Sequence, residues 1–173
     1  HGITEVVLSL GFAPDVFQAT YPDSHCNGVP IHYAIEPEPL DTAGAIRFAA
    51  ESANIEETFL VLNGDVLTDL DVKQLVDFHK ETKGEASIHL IPVEDPSRYG
   101  VVPTDQSGRV TGFIEKPSPG ESPTNWINAG TYVLEPSVLK QIPINQRVSV
   151  EKETFPALAA ESQLFAFLLQ IKM

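Results

Sequence analysis

Cysteine, basic residues and long apolar runs are all scarce in this sequence of 173 residues. The single cysteine, Cys26, excludes an internal disulfide and favours a reducing compartment such as the cytoplasm. Only 11 lysines and arginines oppose 24 aspartates and glutamates, and the resulting net charge of −13 disfavours nucleic acids and anionic membranes as partners. The apolar runs are too short to span a bilayer. These shortages favour a cytoplasmic protein that acts on small molecules.

Apolar residues, in contrast, make up 42% of the chain, which suits one globular domain over residues 1–173. The segment 58–65 opens with five apolar or β-branched residues in a row, and this pattern predicts a strand buried on both faces of a parallel sheet. Strand and helix patterns alternate in the first half, and the second half is rich in strands. We therefore expect an α/β fold, a Rossmann-like three-layer αβα sandwich with a mixed, mostly parallel sheet.

The remaining elements follow from periodicity and from turn and cap residues. Further strands are predicted at residues 6–10, which should be buried, and at 28–35, 86–93, 99–102, 110–114, 129–134 and 164–169. Helices are predicted at 14–20, from Asp41 or Thr42 as a cap to about Ala53, at 71–82 with Gly84 ending it, at 136–141, and at 150–161 capped by Ser149. Residues 105–109 predict a hairpin turn.

A polar tripeptide, Asn63-Gly64-Asp65, ends the apolar segment 58–65. All three residues favour turns for local reasons, so a simple turn is one interpretation. The other depends on position, because ligands of open α/β sheets bind at the carboxyl ends of the strands. A carboxylate at that edge can hold Mg²⁺, which prefers few carboxylates together with water and phosphate oxygens. The five histidines show no close metal-ligand spacing and are interpreted as structural or exposed.

Six short motifs occur in a definite order along nearly the whole chain. They are EPEPLDTAGA at 36–45, LNGD at 62–65, YGVV at 99–102, FIEKP at 113–117, NAGTY at 128–132 and SVEKETFP at 149–156. Each motif alone is weak, but the ordered series resembles the sugar-phosphate nucleotidyltransferases, and the last motif is similar to that of the guanylyltransferases acting on mannose 1-phosphate. The resemblance implies the nucleotide-diphospho-sugar transferase type of fold.

The resemblance also implies roles for individual residues. Asp65 would hold the Mg²⁺ that bridges the phosphates of both substrates, and Lys116 would contact the sugar phosphate as a point charge. Glu115 and Asn128 would bind sugar hydroxyls, although a surface charge pair and a turn cap are the alternatives for Glu115-Lys116 and Asn128. The other residues implied in substrate binding are the base-contacting Glu36 together with Thr42, Ala43, Gly44, Gly64, Gly100 and Gly130.

Base selection follows from hydrogen-bonding chemistry. The carboxylate of Glu36 only accepts hydrogen bonds, and guanine presents two adjacent donors, which favours GTP over UTP or dTTP. A solvated loop position for Glu36, or the use of Glu38 instead, remains an alternative. The motif also departs from the family, in which the loop commonly reads LGTAG, because Asp41 stands at the glycine position.

The expected reaction is Mg-dependent synthesis of a nucleotide-sugar, GDP-mannose first, with release of pyrophosphate. The family's first strand, its glycine-rich triphosphate loop and an aspartate after the last strand are not found in this sequence, so we expect the isolated segment to be inactive. Alternatives are a glucose-1-phosphate thymidylyl- or uridylyltransferase and a non-catalytic nucleotide-sugar-binding regulatory subunit. A glycosyltransferase of similar fold is disfavoured, because Val66 rather than a second acid follows Asp65. The sequence leaves open whether the chain forms a homo-oligomer.

Overall fold

The computed structural model describes residues 2–118 and 120–168, with only the backbone of Glu115 included. The strands are β1 (Val6–Leu10), β2 (His25–Cys26), β3 (Val29–Ile35), β4 (Phe59–Leu62), β5 (Ala86–Pro92), β6 (Gly100–Val101), β7 (Ile114–Glu115), β8 (Trp126–Leu134) and β9 (Leu164–Leu168). The helices are α1 (Pro14–Thr20), α2 (Asp41–Ser52), α3 (Val72–Thr82), α4 (Pro136–Leu139) and α5 (Phe155–Ala160), and a π-helical turn, Val150–Thr154, leads into α5.

The larger sheet is built around β8, which is paired along both of its edges. One edge carries β5, with β9 beyond it, and the other edge carries both β6 and β4. β6 meets β8 at Ile127, whereas β4 meets it from Thr131 to Leu134. The stretch of β8 between these two points therefore lies in a gap between neighbouring strands, and this stretch contains Asn128 and Gly130.

A smaller sheet has the order β1-β3-β2, with β1 parallel and β2 antiparallel to β3. Strands of both directions together with helices confirm the predicted mixed α/β class. Parallel pairing does not predominate, however, because only two of the seven strand pairings in the described residues, β1 with β3 and β5 with β9, are parallel. An apolar run indicates a strand but carries no information about the direction of its neighbour.

The two strands expected to be buried are more exposed than predicted. β4 covers only Phe59–Leu62, pairs antiparallel with β8, and leaves Leu62 49% exposed. In β1 only Leu10 is buried. Among the described residues each strand has a ladder partner on one side only, which explains both differences.

Helices cover both faces of the larger sheet, which confirms the three-layer arrangement. On one face, residues of α2, α4 and α5 pack with Ile88, Tyr132 and Leu134 in the main core. On the other face, Leu75 of α3 packs with Val133. Alternating residues of β8 therefore supply both cores, as expected of a strand in a central layer.

Several predicted element ends need correction. Leu40 precedes α2 without any side-chain cap, so neither Asp41 nor Thr42 caps this helix. Lys83, in the left-handed conformation with φ 55°, ends α3 in place of Gly84. Of the predicted strand 110–114, only a bridge between Val110 and Thr104 and the first residue of β7, Ile114, are extended, and the end of the predicted strand 164–169 lies outside the described residues. Across the described ranges, no helix is long and apolar enough to cross a membrane.

Candidate active site

A cavity of about 540 Å³ opens beside the gap along β8. Gly100 and Asn128, two of the residues predicted to bind the sugar, line it. Tyr99, Phe113 and Ile114 supply an apolar wall, whereas Asp41, Ser149, Glu151 and Lys152 supply polar groups. The cavity thus combines an apolar surface with hydrogen-bonding groups of both kinds, a composition suited to a small polar ligand.

The NAG segment of β8 is a bulge that is joined directly to the end of β4. The register between β5 and β8 shifts after Ile88, and Gly130 takes a left-handed conformation with φ 70°. The Asn63 N–H donates to the carbonyl of Gly130 at 2.8 Å, and the Gly130 N–H donates to Asn128 Oδ1 at 2.9 Å. The LNGD and NAGTY motifs are therefore joined through their backbones. Bulges of this kind are common next to functional sites, where they redirect a side chain.

A hydrogen bond to Tyr132 holds the side-chain amide of Asn128 in place. Asn128 Nδ2 donates to the Tyr132 hydroxyl at 2.9 Å, and the ring of Tyr132 packs edge-on against Phe155. Burial, partly offset by the hydrogen bond from Asn128, raises the pKa of Tyr132 to about 12, and the nearby charge of Glu151 adds to this rise. The phenol therefore stays neutral at physiological pH and holds Asn128 in one orientation.

Gly64 and Asp65 form a turn that begins at Asn63, whose carbonyl accepts from the Val66 N–H at 3.2 Å. Both residues are exposed, and a methyl group added at Gly64 would meet no atom within 4 Å. Among residues 2–118 and 120–168, no three His, Cys, Asp or Glu side chains cluster closely enough to hold a metal. The exposed carboxylate of Asp65 fits a hard cation that takes its other ligands from water and phosphate.

The FIEKP motif lies against the YGVV motif. Glu115 pairs with Gly100 in the β6–β7 ladder, and the Lys116 N–H donates to the carbonyl of Tyr99 at 3.1 Å. Lys116 has a left-handed backbone with φ 45°, so the chain turns sharply there before the buried Pro117. The predicted contact of the Glu115 side chain with a sugar lies outside the described residues.

The start of α2 packs on the segment that leads to the SVEKETFP motif. The N–H groups of Ala43 and Gly44 both donate to the carbonyl of Val148, at 2.9 and 3.3 Å. A methyl group on Gly44 would lie 2.5 Å from the carbonyl oxygen of Gln146, so only glycine fits. The backbone amides of Ala43 and Gly44 thus already have a protein acceptor. Contact between these two residues and a nucleotide stays a prediction.

Two acidic residues near α2 have defined partners. Glu36 accepts from Ser9 Oγ at 3.0 Å through Oε1 and from the Leu40 N–H at 3.0 Å through Oε2. Asp41, whose Oδ1 accepts from the Thr42 N–H at 2.8 Å, has φ 60°, a left-handed conformation that glycine adopts readily and aspartate adopts occasionally. Binding of the base by Glu36 stays a prediction.

Sequence reasoning missed three residues that shape this site. Asn63 lies within the LNGD motif but was assigned no role, and its backbone holds the bulge. Ser149 and Glu151 line the cavity, although the sequence analysis suggested only a helix cap for Ser149 and no role for Glu151. Their place in the SVEKETFP motif was the signal that could have identified them.

Comparison with known proteins decides the family. The family model described as nucleotidyl transferase matches residues 1–172. The chain belongs to the nucleotidyl transferase family. Such enzymes bind a nucleoside triphosphate and a sugar 1-phosphate and generally use a divalent metal.

Individual nucleotidyl transferases are similar over nearly the whole chain. The mannose-1-phosphate guanylyltransferase of Mycobacterium tuberculosis is 42% identical over 160 residues, 92% of this chain and 44% of that protein. Mannose-1-phosphate guanylyltransferase 1 of Arabidopsis thaliana is 42% identical over 172 residues, 97% of this chain and 47% of that protein. The chain spans slightly less than half the length of these relatives.

Among solved structures, HddC from Yersinia pseudotuberculosis matches with a TM-score of 0.80 and 28% identity, over 96% of this chain and 70% of that chain. The same protein complexed with GMP-PN matches with a TM-score of 0.78 and 27% identity, over 97% and 71% of the two chains. This similarity supports the mixed α/β fold described above.

Proposed function

We propose that the protein is a mannose-1-phosphate guanylyltransferase, which makes GDP-mannose and pyrophosphate from GTP and mannose 1-phosphate. The observation that carries the proposal is the convergence of the motifs on one region. Five of the six motifs contribute residues to the wall of one cavity, and the sixth, LNGD, is joined to the NAGTY motif by the Asn63–Gly130 hydrogen bond. Relatives of that name, similar over 92% to 98% of this chain, support the same reaction.

In this reaction an oxygen of the sugar phosphate attacks the α-phosphorus of the triphosphate. The bond from the α-phosphorus to the bridging oxygen breaks, and pyrophosphate leaves with that oxygen. No covalent intermediate with the protein is needed, so the chain contributes positioning and charge stabilisation. Mg²⁺, when bound at Asp65, would neutralise phosphate charge.

Asn128 and Gly100, which line the cavity, and Lys116, which follows the cavity residue Ile114 closely in the chain, suit a sugar phosphate. Asn128, held by Tyr132 and by the Gly130 amide, presents a fixed amide to the cavity, where it would bind hexose hydroxyls. Gly100 has no side chain, so its backbone would approach the sugar ring closely. Lys116, where the chain turns beside Tyr99, would place its ammonium group on the sugar phosphate.

The choice of GTP rests on Glu36. Its two oxygens each accept one hydrogen bond from the protein, which fixes the carboxylate, and each can accept another. A fixed pair of acceptors suits the adjacent N1 and amino donors of guanine. Binding of GMP-PN by the Yersinia protein supports a guanine nucleotide.

The single cysteine, Cys26, which is free, supports a cytoplasmic location.

The test is pyrophosphate release by the full-length protein with Mg²⁺, across GTP, UTP and dTTP against mannose and glucose 1-phosphates. We expect release chiefly with GTP and mannose 1-phosphate. Release chiefly with glucose 1-phosphate and dTTP or UTP would refute the substrate assignment. Binding of the nucleotide-sugar without release in any combination would instead support a regulatory subunit.

A further inference from the structure

The SVEKETFP motif contains a carboxylate to which the proposed reaction assigns no role. Glu151 is half-buried in the π-helical turn Val150–Thr154 and lines the same cavity as Asn128 and Gly100. Asn128 approaches this cavity from β8, and Glu151 approaches it from the turn before α5. A ligand in the cavity would therefore meet hydrogen-bonding groups from both elements.

Two hydroxyl groups hold Glu151 in place through one of its oxygens. Thr42 Oγ1 and Ser149 Oγ both donate to Glu151 Oε2, each at 3.1 Å. In the described part of the chain no hydrogen bond ends on the other oxygen, Oε1. Oε1 is not among the buried unpartnered atoms of the described residues, so it is open to a donor from water or from a ligand in the cavity.

Thr42 connects this carboxylate to the start of α2. Its hydroxyl oxygen accepts from the Val150 N–H at 2.8 Å while its proton goes to Glu151. The hydroxyl is thus used on both sides within the protein, although the sequence suggested that Thr42 binds substrate. Thr42 therefore orients Glu151 and connects the start of α2 to the cavity that Glu151 lines.

We propose that Glu151 is a further sugar-recognition residue, whose Oε1 accepts a hydroxyl of the hexose 1-phosphate, and that Thr42 and Ser149 are its positioning residues. The proposal rests on the proposed function, because it assigns a hexose phosphate to the cavity. Carboxylates are strong acceptors for hydroxyl donors, and a fixed carboxylate selects hydroxyl position because its rotamer is locked. The ligand class is a hexose 1-phosphate with one hydroxyl that reaches Glu151 while another part of the sugar contacts Asn128.

Glu151→Gln separates recognition from structural support. The amide oxygen of glutamine still accepts from Thr42 and Ser149, whereas the cavity-facing oxygen becomes an NH₂ donor. Isothermal titration of the full-length protein with mannose 1-phosphate should show roughly a tenfold to hundredfold loss of affinity, as for one charge-assisted hydrogen bond. Affinity for GTP and the midpoint of urea unfolding should stay unchanged.

Glu161→Gln is the matched control. Glu161 is exposed at the end of α5, and its substitution removes the same charge without touching the cavity. Its affinity for mannose 1-phosphate should equal that of the unmodified protein. Equal losses in both glutamine variants would attribute the effect to net charge and overturn the proposal.

Positioning by Thr42 is tested with a pair of variants. Thr42→Val removes the hydroxyl and keeps the shape, so KM for mannose 1-phosphate should rise severalfold while KM for GTP changes less. Thr42→Ser should restore the KM for the sugar phosphate. A valine variant that raises both KM values equally would show a structural role only and would contradict the positioning assignment.

Monodeoxy analogues of mannose 1-phosphate identify the hydroxyl. Loss of the recognised hydroxyl should weaken binding to the unmodified protein but should not weaken binding to Glu151→Gln further, which is the expected result of a double-mutant cycle. If the unmodified protein binds no hexose 1-phosphate at all, the proposed function fails. If it binds and Glu151→Gln binds equally well, the function stands and only this inference fails.

Discussion

Substitution of Gly130 by alanine tests the junction between the NAG bulge and the NGD turn. At φ 70° an alanine pays a left-handed penalty of about 1 to 2 kcal/mol. Its Cβ would also lie 2.8 Å from Asn63 Nδ2 and 3.1 Å from Asn63 Cβ, so the Asn63 side chain must move. Moving the half-buried Asn63 side chain out of its packed position adds about 1 kcal/mol. The expected loss of unfolding free energy is about 2 to 3 kcal/mol.

Gly28→Ala is the control for the backbone penalty alone. Gly28 has φ 81°, and a methyl group there would meet nothing within 4 Å. Urea unfolding of the two variants should therefore differ by about 1 kcal/mol or more, and this difference reports the collision with Asn63. In an Asn63→Gly background, which lacks both the amide and the Cβ, the further cost of Gly130→Ala should fall to the level of Gly28→Ala. Equal destabilisation by Gly130→Ala and Gly28→Ala in the unmodified background would refute the reasoning.

Three further predictions concern the proposed metal ligand Asp65, the turn at Gly64 and the buried phenol of Tyr132. Asp65→Asn should lower pyrophosphate release on the order of a hundredfold or more while the urea midpoint stays constant, because Asp65 is exposed; retained turnover would exclude Asp65 as a metal ligand. Gly64→Ala should leave stability within about 0.5 kcal/mol, since no protein atom lies near, so a loss of substrate affinity would report the ligand's approach. The phenol of Tyr132, with its pKa raised to about 12, contributes stability that is complete below pH 10 and is lost as pH rises to 12, about 3 kcal/mol in all. Absorbance at the phenolate band and urea unfolding against pH measure this loss, and Tyr132→Phe should reduce its slope.

The sequence predicted the apolar segments well because periodicity and turn residues are local signals. The helix of α3 starts after Asp71, whose side chain accepts from the Lys73 N–H, as a capping residue should. Whether neighbouring strands pair parallel or antiparallel could not be predicted from the same local signals. The apolar run at β4 indicated burial, but its antiparallel partner β8 lies about 70 residues later, and no local pattern records that pairing.

The same limit applies to the site. Motif order brought Asn128, Gly100 and Asp65 to attention, and the structure places the first two in the cavity wall. It did not reveal that Thr42 and Glu151, 109 residues apart, share a hydrogen bond. Such a link depends on tertiary packing of α2 against the turn before α5, for which neither residue alone gives a signal. The sequence predicted helix caps at Thr42 and at Ser149. Of these two residues, Ser149 caps its helix and Thr42 does not.

A crystal structure of the full-length protein with mannose 1-phosphate and GTP's non-hydrolysable analogue would test the central claim most directly. That claim is that the six motifs form a single site for both substrates. We expect the hexose in the cavity within hydrogen-bonding distance of Asn128 and Glu151, with its phosphate directed toward Lys116 and Asp65. A hexose phosphate bound elsewhere, with the cavity beside β8 left empty, would contradict the account.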